Sequence, residues 1–102
     1  MNNLNSVIIE GVVATSVEEV RENLYEFTLL SKRTTIVDAS LFVANNFFKI
    51  RTDKKDVLLK KYAAVRIIGR LEELEDKSVC IVAGHIEFKP SKPEKVLDVD
   101  FI

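Results

Sequence analysis

The chain has 102 residues, with 15 Lys and Arg against 16 Asp and Glu and a formal net charge of −1. That length holds one domain with a real core but not two domains. The near-neutral charge announces no polyanion binder, so a nucleic-acid function would require the charges to be sorted onto one face. No apolar run approaches the roughly 18–20 residues that span a bilayer. The opening MNNLNSV lacks the basic-then-apolar pattern of a secretory signal. The single cysteine, Cys80, excludes an internal disulfide framework and fits a reducing compartment. The expectation is a cytoplasmic protein without a membrane span.

Residues 4–14, LNSVIIEGVVA, are apolar on both alternations, Val7, Ile9 and Val13 against Ile8 and Val12. This predicts a strand covered on both faces, the outer one by another subunit of a homodimer or homotetramer. Residues 15–23 are polar and read as a loop or a short hairpin extension. In 24–33, Tyr25, Phe27 and Leu29 share one face and Glu26 and Thr28 the other, the pattern of a half-buried strand. Residues 35–44, TIVDASLFVA, read as a third strand. From 45 to 62 the period changes. Asp53 can cap a helix with Val57, Leu58 and Tyr62 inside and Lys54, Lys55, Lys60 and Lys61 outside. Strands over 64–73 and 79–88, joined by the turn LEDKS, complete the domain, and Pro90 and Pro93 stop it.

Three strands, one helix and two strands is the element order of an all-β, five-stranded Greek-key OB-fold barrel with one helix between strands 3 and 4. Residues 1–90 form this domain and 91–102 a C-terminal tail or arm.

Particular stretches resemble the bacterial single-stranded DNA-binding protein family. LNSVIIEG (4–11) is similar to its opening strand and YEFTLLSKR (25–33) to its second. LLKKYAAVRIIGRL (58–71) resembles its Tyr-Leu-Arg-Lys-Gly-x-x-Val-x-Ile-x-Gly-x-Leu segment, and IVAGHIEFKP (81–90) its closing strand. The chain looks like a divergent short member, and a short primosomal relative is similar as well. The resemblance implies sequence-independent binding of single-stranded DNA in replication, recombination or repair. The other reading is an OB-fold adaptor of primosomal type that acts through protein contacts.

Such binding stacks bases on aromatic rings while basic residues follow the backbone. Here the departures count. The chain has no Trp. Thr35, Asp38 and Ala44 fall near the family's aromatic positions, and the hairpin between strands 4 and 5 is cut to LEDKS. Affinity is therefore expected to be weak and salt-sensitive. Lys60 and Lys61 match the family's Arg-Lys. Lys32 and Arg33 end strand two, and Lys49, Arg51, Lys54 and Lys55 crowd the approach to the helix. The stretches 72–76 and 18–22 are acidic, so the charge is segregated. A solvated helix face explains the same lysines without a ligand.

Phe27 and Phe88 fall on apolar alternations and belong to the core. Phe47 and Phe48 are adjacent, so only one can point inward, and the other is a stacking site or an oligomer contact. Phe48 joins the candidate nucleic-acid set of Lys32, Arg33, Lys49, Arg51, Lys54, Lys55, Lys60 and Lys61.

Catalysis is not expected. The one His and one Cys lie five apart on the last strand and so on opposite faces, with Cys80, Val82, Ile86 and Phe88 toward the core. Metal and cofactor sites are not expected either, for want of ligand spacing or a Gly-rich loop. Gly11, Gly69 and Gly84 stand alone inside strands, the mark of a bulge or a close backbone approach. The tail, ending LDVDFI, reads as a strand or arm that pairs with an exposed edge. Alternatively Asp98, Asp100, Phe101 and Ile102 form a docking tip for replication or repair proteins.

Overall fold

The β-branched runs of the sequence become long paired strands. The computed structural model describes residues 5–90, and these form β1 (Val7–Val13), β2 (Glu18–Arg21), β3 (Leu24–Val37), β4 (Ser40–Thr52), β5 (Ala64–Glu73) and β6 (Val79–Phe88). The tail residues Asp98, Asp100, Phe101 and Ile102 lie outside the described residues.

β1 runs antiparallel to β5, from Val7↔Gly69 to Val12↔Ala64, and β5 to β6. β6 meets β4 in parallel at Ile50↔Ile81 and Arg51↔Val82. β4 pairs with β3 along its whole length, and β3 returns to β1 at Val12↔Leu30 and Val13↔Leu29. The sheet thereby closes into a five-stranded barrel, and β2 is a short flap on β3. Its interior holds Val13, Phe27, Leu29, Ile50, Val65, Ile67, Ile81 and Ala83, with Leu59 as a plug. Gly11 and Gly69 permit the tight curvature. A Cβ on Gly11 would stand 2.2 Å from the Leu30 carbonyl oxygen, and one on Gly69 2.0 Å from that of Val82.

The helix expected over 53–62 does not form. The Lys54 amide donates to Thr52 Oγ1 at 3.0 Å, and the Leu58 amide to Asp56 Oδ1 at 2.8 Å. Leu59 N–H then bonds to the Asp56 carbonyl and Ala63 N–H to that of Lys60, which makes two successive tight turns. Short polar side chains offer the backbone partners that compete with a helix. Asp56, not Asp53, is the local cap. Tyr62, at φ 78°, ends any right-handed path. Val57, Leu58 and Tyr62 are exposed instead of forming an apolar face, and Leu59 alone fills the barrel end.

The strand expected over 35–44 is instead split by a turn. Asp38 (φ 50°) and Ala39 (φ 63°) form the tip, so 35–37 belong to β3 and 40–52 to β4. β6 needs a second correction. Ile68 pairs with His85 but Gly69 with Ala83, so Gly84 is an extra, bulged residue. The bulge swaps the faces of the strand. Ile81 and Ala83 point inward before it and Ile86 and Phe88 after it. Val82 is only half-buried and sits opposite the outward Arg70. Cys80 and His85 therefore share the outer side, and Cys80 is buried there rather than in the core cluster.

Candidate nucleic-acid interface

Cross-strand partners share a face, so the β3–β4 register sorts every side chain of this hairpin. The inner rows are Phe27/Ile50, Leu29/Phe48, Ser31/Asn46, Arg33/Ala44 and Thr35/Phe42. The outer rows are Glu26/Arg51, Thr28/Lys49, Leu30/Phe47, Lys32/Asn45, Thr34/Val43 and Ile36/Leu41. Phe47 is 62% exposed on the outer face and Phe48 38% on the inner one. Lys49 lies one outer row from Phe47 on one side, and Lys32 one row away on the other. An aromatic ring thus stands between two ammonium groups, at steps of about 7 Å along the strands. Phe47 completes the set that the sequence pointed to. The adjacency of the two phenylalanines was the signal, and only the register says which one faces out.

The remaining basic candidates occupy separate places. Arg33 is on the opposite face of the hairpin from Lys32. Arg51 is spent on Glu26, whose carboxylate accepts from its Nε at 2.8 Å and raises the guanidinium's affinity for its proton. Lys49 and Arg51 line a groove of about 540 Å³ whose far wall is Glu72, Glu73, Glu75 and Asp76. Asp76 is held below the usual carboxylate range, first by the hydroxyl and amide of Ser78 and also by the charge of Lys49. Cys80 lies close enough to feel Arg51 and Glu72, and burial pushes its thiol up. Lys54 and Lys55 flank Val17, Tyr25 and Leu59 at one end of the barrel. Lys60 and Lys61 open on another hollow, of about 560 Å³, with Tyr62, Phe88 and Lys89. The basic stretch 49–61 is therefore divided among three neighbourhoods.

Among the described residues no cluster of His, Cys, Asp and Glu is arranged to hold a metal. His85 Nε2 stands 3.4 Å from Glu87, and both are exposed. The described residues contain no helix long and apolar enough to cross a membrane.

A five-stranded barrel closed by a parallel β4–β6 seam, with its longest hairpin on the outer face, is an OB fold. Its barrel is similar to the OB folds of several solved single-stranded DNA-binding proteins. The Plasmodium falciparum SSB in complex with ssDNA superposes with a TM-score of 0.73 at 15% identity, over 88% of this chain and 98% of that one. The small single-stranded DNA-binding protein of Streptomyces coelicolor gives 0.66 at 22%, over 87% and 96%. PriB of Ralstonia solanacearum gives 0.63 at 9%, over 84% and 98%. No protein-family model matches the sequence, and no curated protein matches it.

Proposed function

We propose that the barrel binds single-stranded DNA without sequence preference, as a non-enzymatic component of replication, recombination or repair. The observation that carries this reading is the exposed Phe47 between Lys49 and Lys32 on the outer face of β3–β4. A ring that stacks a base contributes about 1–3 kcal/mol, and flanking ammonium groups neutralise phosphates. Two phosphate contacts correspond to a salt slope near −1.4. The acidic wall of Glu72, Glu73, Glu75 and Asp76 repels the same phosphates, so binding is weak outside low salt. A homodimer forms through the N-terminal end of β1, where Ile8 is exposed beside Ile68 of β5, and leaves the Val12 end open.

Titration of labelled oligothymidylate at low and moderate salt tests the reading. Phe47→Ala is expected to weaken binding roughly tenfold, the loss of one stacked base. Lys49→Glu is expected to weaken it further and flatten the salt slope. Absence of binding at low salt would overturn the DNA reading. The adaptor reading would then stand, favoured by the exposed apolar tip of the hairpin, Ile36, Leu41, Phe42 and Val43.

A further inference from the structure

The hollow at Lys60, Lys61 and Tyr62 holds three independent features. First, the backbone is strained. Tyr62 sits at φ 78°, in the left-handed region that glycine enters freely and bulky residues avoid. It stands where the segment resembled by residues 58–71 has its first Gly, so here an aromatic ring replaces the residue that would cost least. The ring does no packing that would account for this. It is 76% exposed, and Lys61 Nζ lies 5.2 Å from its centroid. Strain held at an exposed aromatic points to a use for the ring.

Second, the hollow is electropositive. Its lining includes Lys60, Lys61 and Lys89 and no acidic residue. Lys89 is engaged with Glu10 at 2.9 Å, but among the described residues neither Lys60 nor Lys61 enters an ion pair. The ammonium of Lys60, and that of Lys61 set over one face of the exposed ring, suit the phosphate of one nucleotide, and the ring suits its base.

Third, the hollow is continuous with the hairpin face. The registers Phe47↔Leu30, Leu30↔Val12 and Val12↔Ala64 set four outward residues in one row across β4, β3, β1 and β5. Three inter-strand steps of about 4.8 Å separate Phe47 from Ala64, which lines the hollow. The Tyr62 amide donates to the Val13 carbonyl at 2.8 Å, so the backbone that carries the ring is held beside the β1 end of this row.

We propose that Tyr62 is a second base-stacking platform, with Lys60 and Lys61 as its phosphate contacts. It takes a single strand that has crossed from Phe47 over Leu30 and Val12. This rests on the single-strand reading above and adds a track and its far end. The ring stands in part for the missing tryptophans, at a place on the barrel distinct from Thr35, Asp38 and Ala44.

The test compares oligothymidylates of about three nucleotides, too short to reach from Phe47 to Tyr62, and about twelve nucleotides on the wild-type chain, Phe47→Ala and Tyr62→Gly. Tyr62→Gly is expected to leave the short strand's affinity unchanged and weaken the long strand roughly tenfold, one stacked base. Its thermal midpoint is expected to equal or exceed the wild-type value, because Gly relieves the strained φ. Phe47→Ala weakens both strands. With no Trp in the chain, tyrosine emission of a Tyr25→Phe variant is expected to be quenched by the long strand alone. Wild-type binding of both strands with an unaltered Tyr62→Gly would overturn the track and leave the hairpin site standing. Failure of the wild-type chain to bind either strand at low salt would overturn both readings.

Discussion

The wall made of β1, β5 and β6 and the arm made of the outer β3–β4 hairpin are built from similar β-branched and aromatic residues, yet they are different materials. In the wall, Val65 and Ile67 are fully buried, and the outer row is cross-linked, with Arg66 bonded to Glu10 at 2.6 Å and facing Glu87. In the arm, Ile36, Leu41, Phe42 and Val43 are open to solvent on both faces, and among the described residues no third strand lies beside them. An isolated two-stranded ribbon is marginal in water. The wall holds the fold, and the arm leaves its side chains open to solvent. Composition does not separate these roles; register and neighbours do.

The sharpest way to break the comparison is to truncate one apolar side chain in each region. Ile67→Ala in the wall is expected to cost about 3 kcal/mol, as transfer plus cavity. Leu41→Ala in the arm should stay within about 0.5 kcal/mol. Urea denaturation measures both, and equal losses would erase the distinction. Next in size is the contrast between glycines. Gly69→Ala drives a Cβ into the Val82 carbonyl and should cost about 2 kcal/mol. Gly84→Ala, whose Cβ would meet only the Ile68 carbonyl at 3.7 Å, is expected to be neutral or slightly stabilising. The smallest effect is on pH. Lys89 first and then Arg66 hold Glu10 below its ordinary value of 4.5. A carboxylate whose folded-state pKa lies below its unfolded value contributes stability that is complete above that unfolded value. The contribution is lost as pH falls through the folded one. Thermal midpoints measured downward from pH 6 should therefore fall on acidification, with a flatter acid limb for Glu10→Gln.

The wall was legible in the sequence. AVRIIGRLEE and VCIVAGHIEF mark β5 and β6 at both ends, because turn-forming residues bracket apolar runs of the right length. The arm was not. Its tip, Asp38-Ala39, takes left-handed torsions with Ala where Gly is usual, so the only turn signal in TIVDASLFVA is the weak Asp-Ala-Ser. That one missing turn hid more than itself. Without it the parity of β4 floats, and the choice between Phe47 and Phe48 cannot be made. The lysine spacing of 54–61 imitates a solvated helix, but Asp56 turns the chain first. In β6 the parity argument failed at a single residue, the Gly84 bulge, which put Cys80 and His85 on one side. Within the basic stretch the charges were visible and their division among three neighbourhoods was not, since that division depends on where the chain turns.

The barrel's closing seam has a mechanical consequence. β4 and β6 pair only at Ile50↔Ile81 and Arg51↔Val82, in parallel, and β1 and β3 only at Val12↔Leu30 and Val13↔Leu29, whereas the other ladders are longer. Pulled apart between the arm and the β6 end, the molecule is expected to open at these two short junctions. The β1–β5–β6 wall would then part as one leaf and the β3–β4 ribbon as the other.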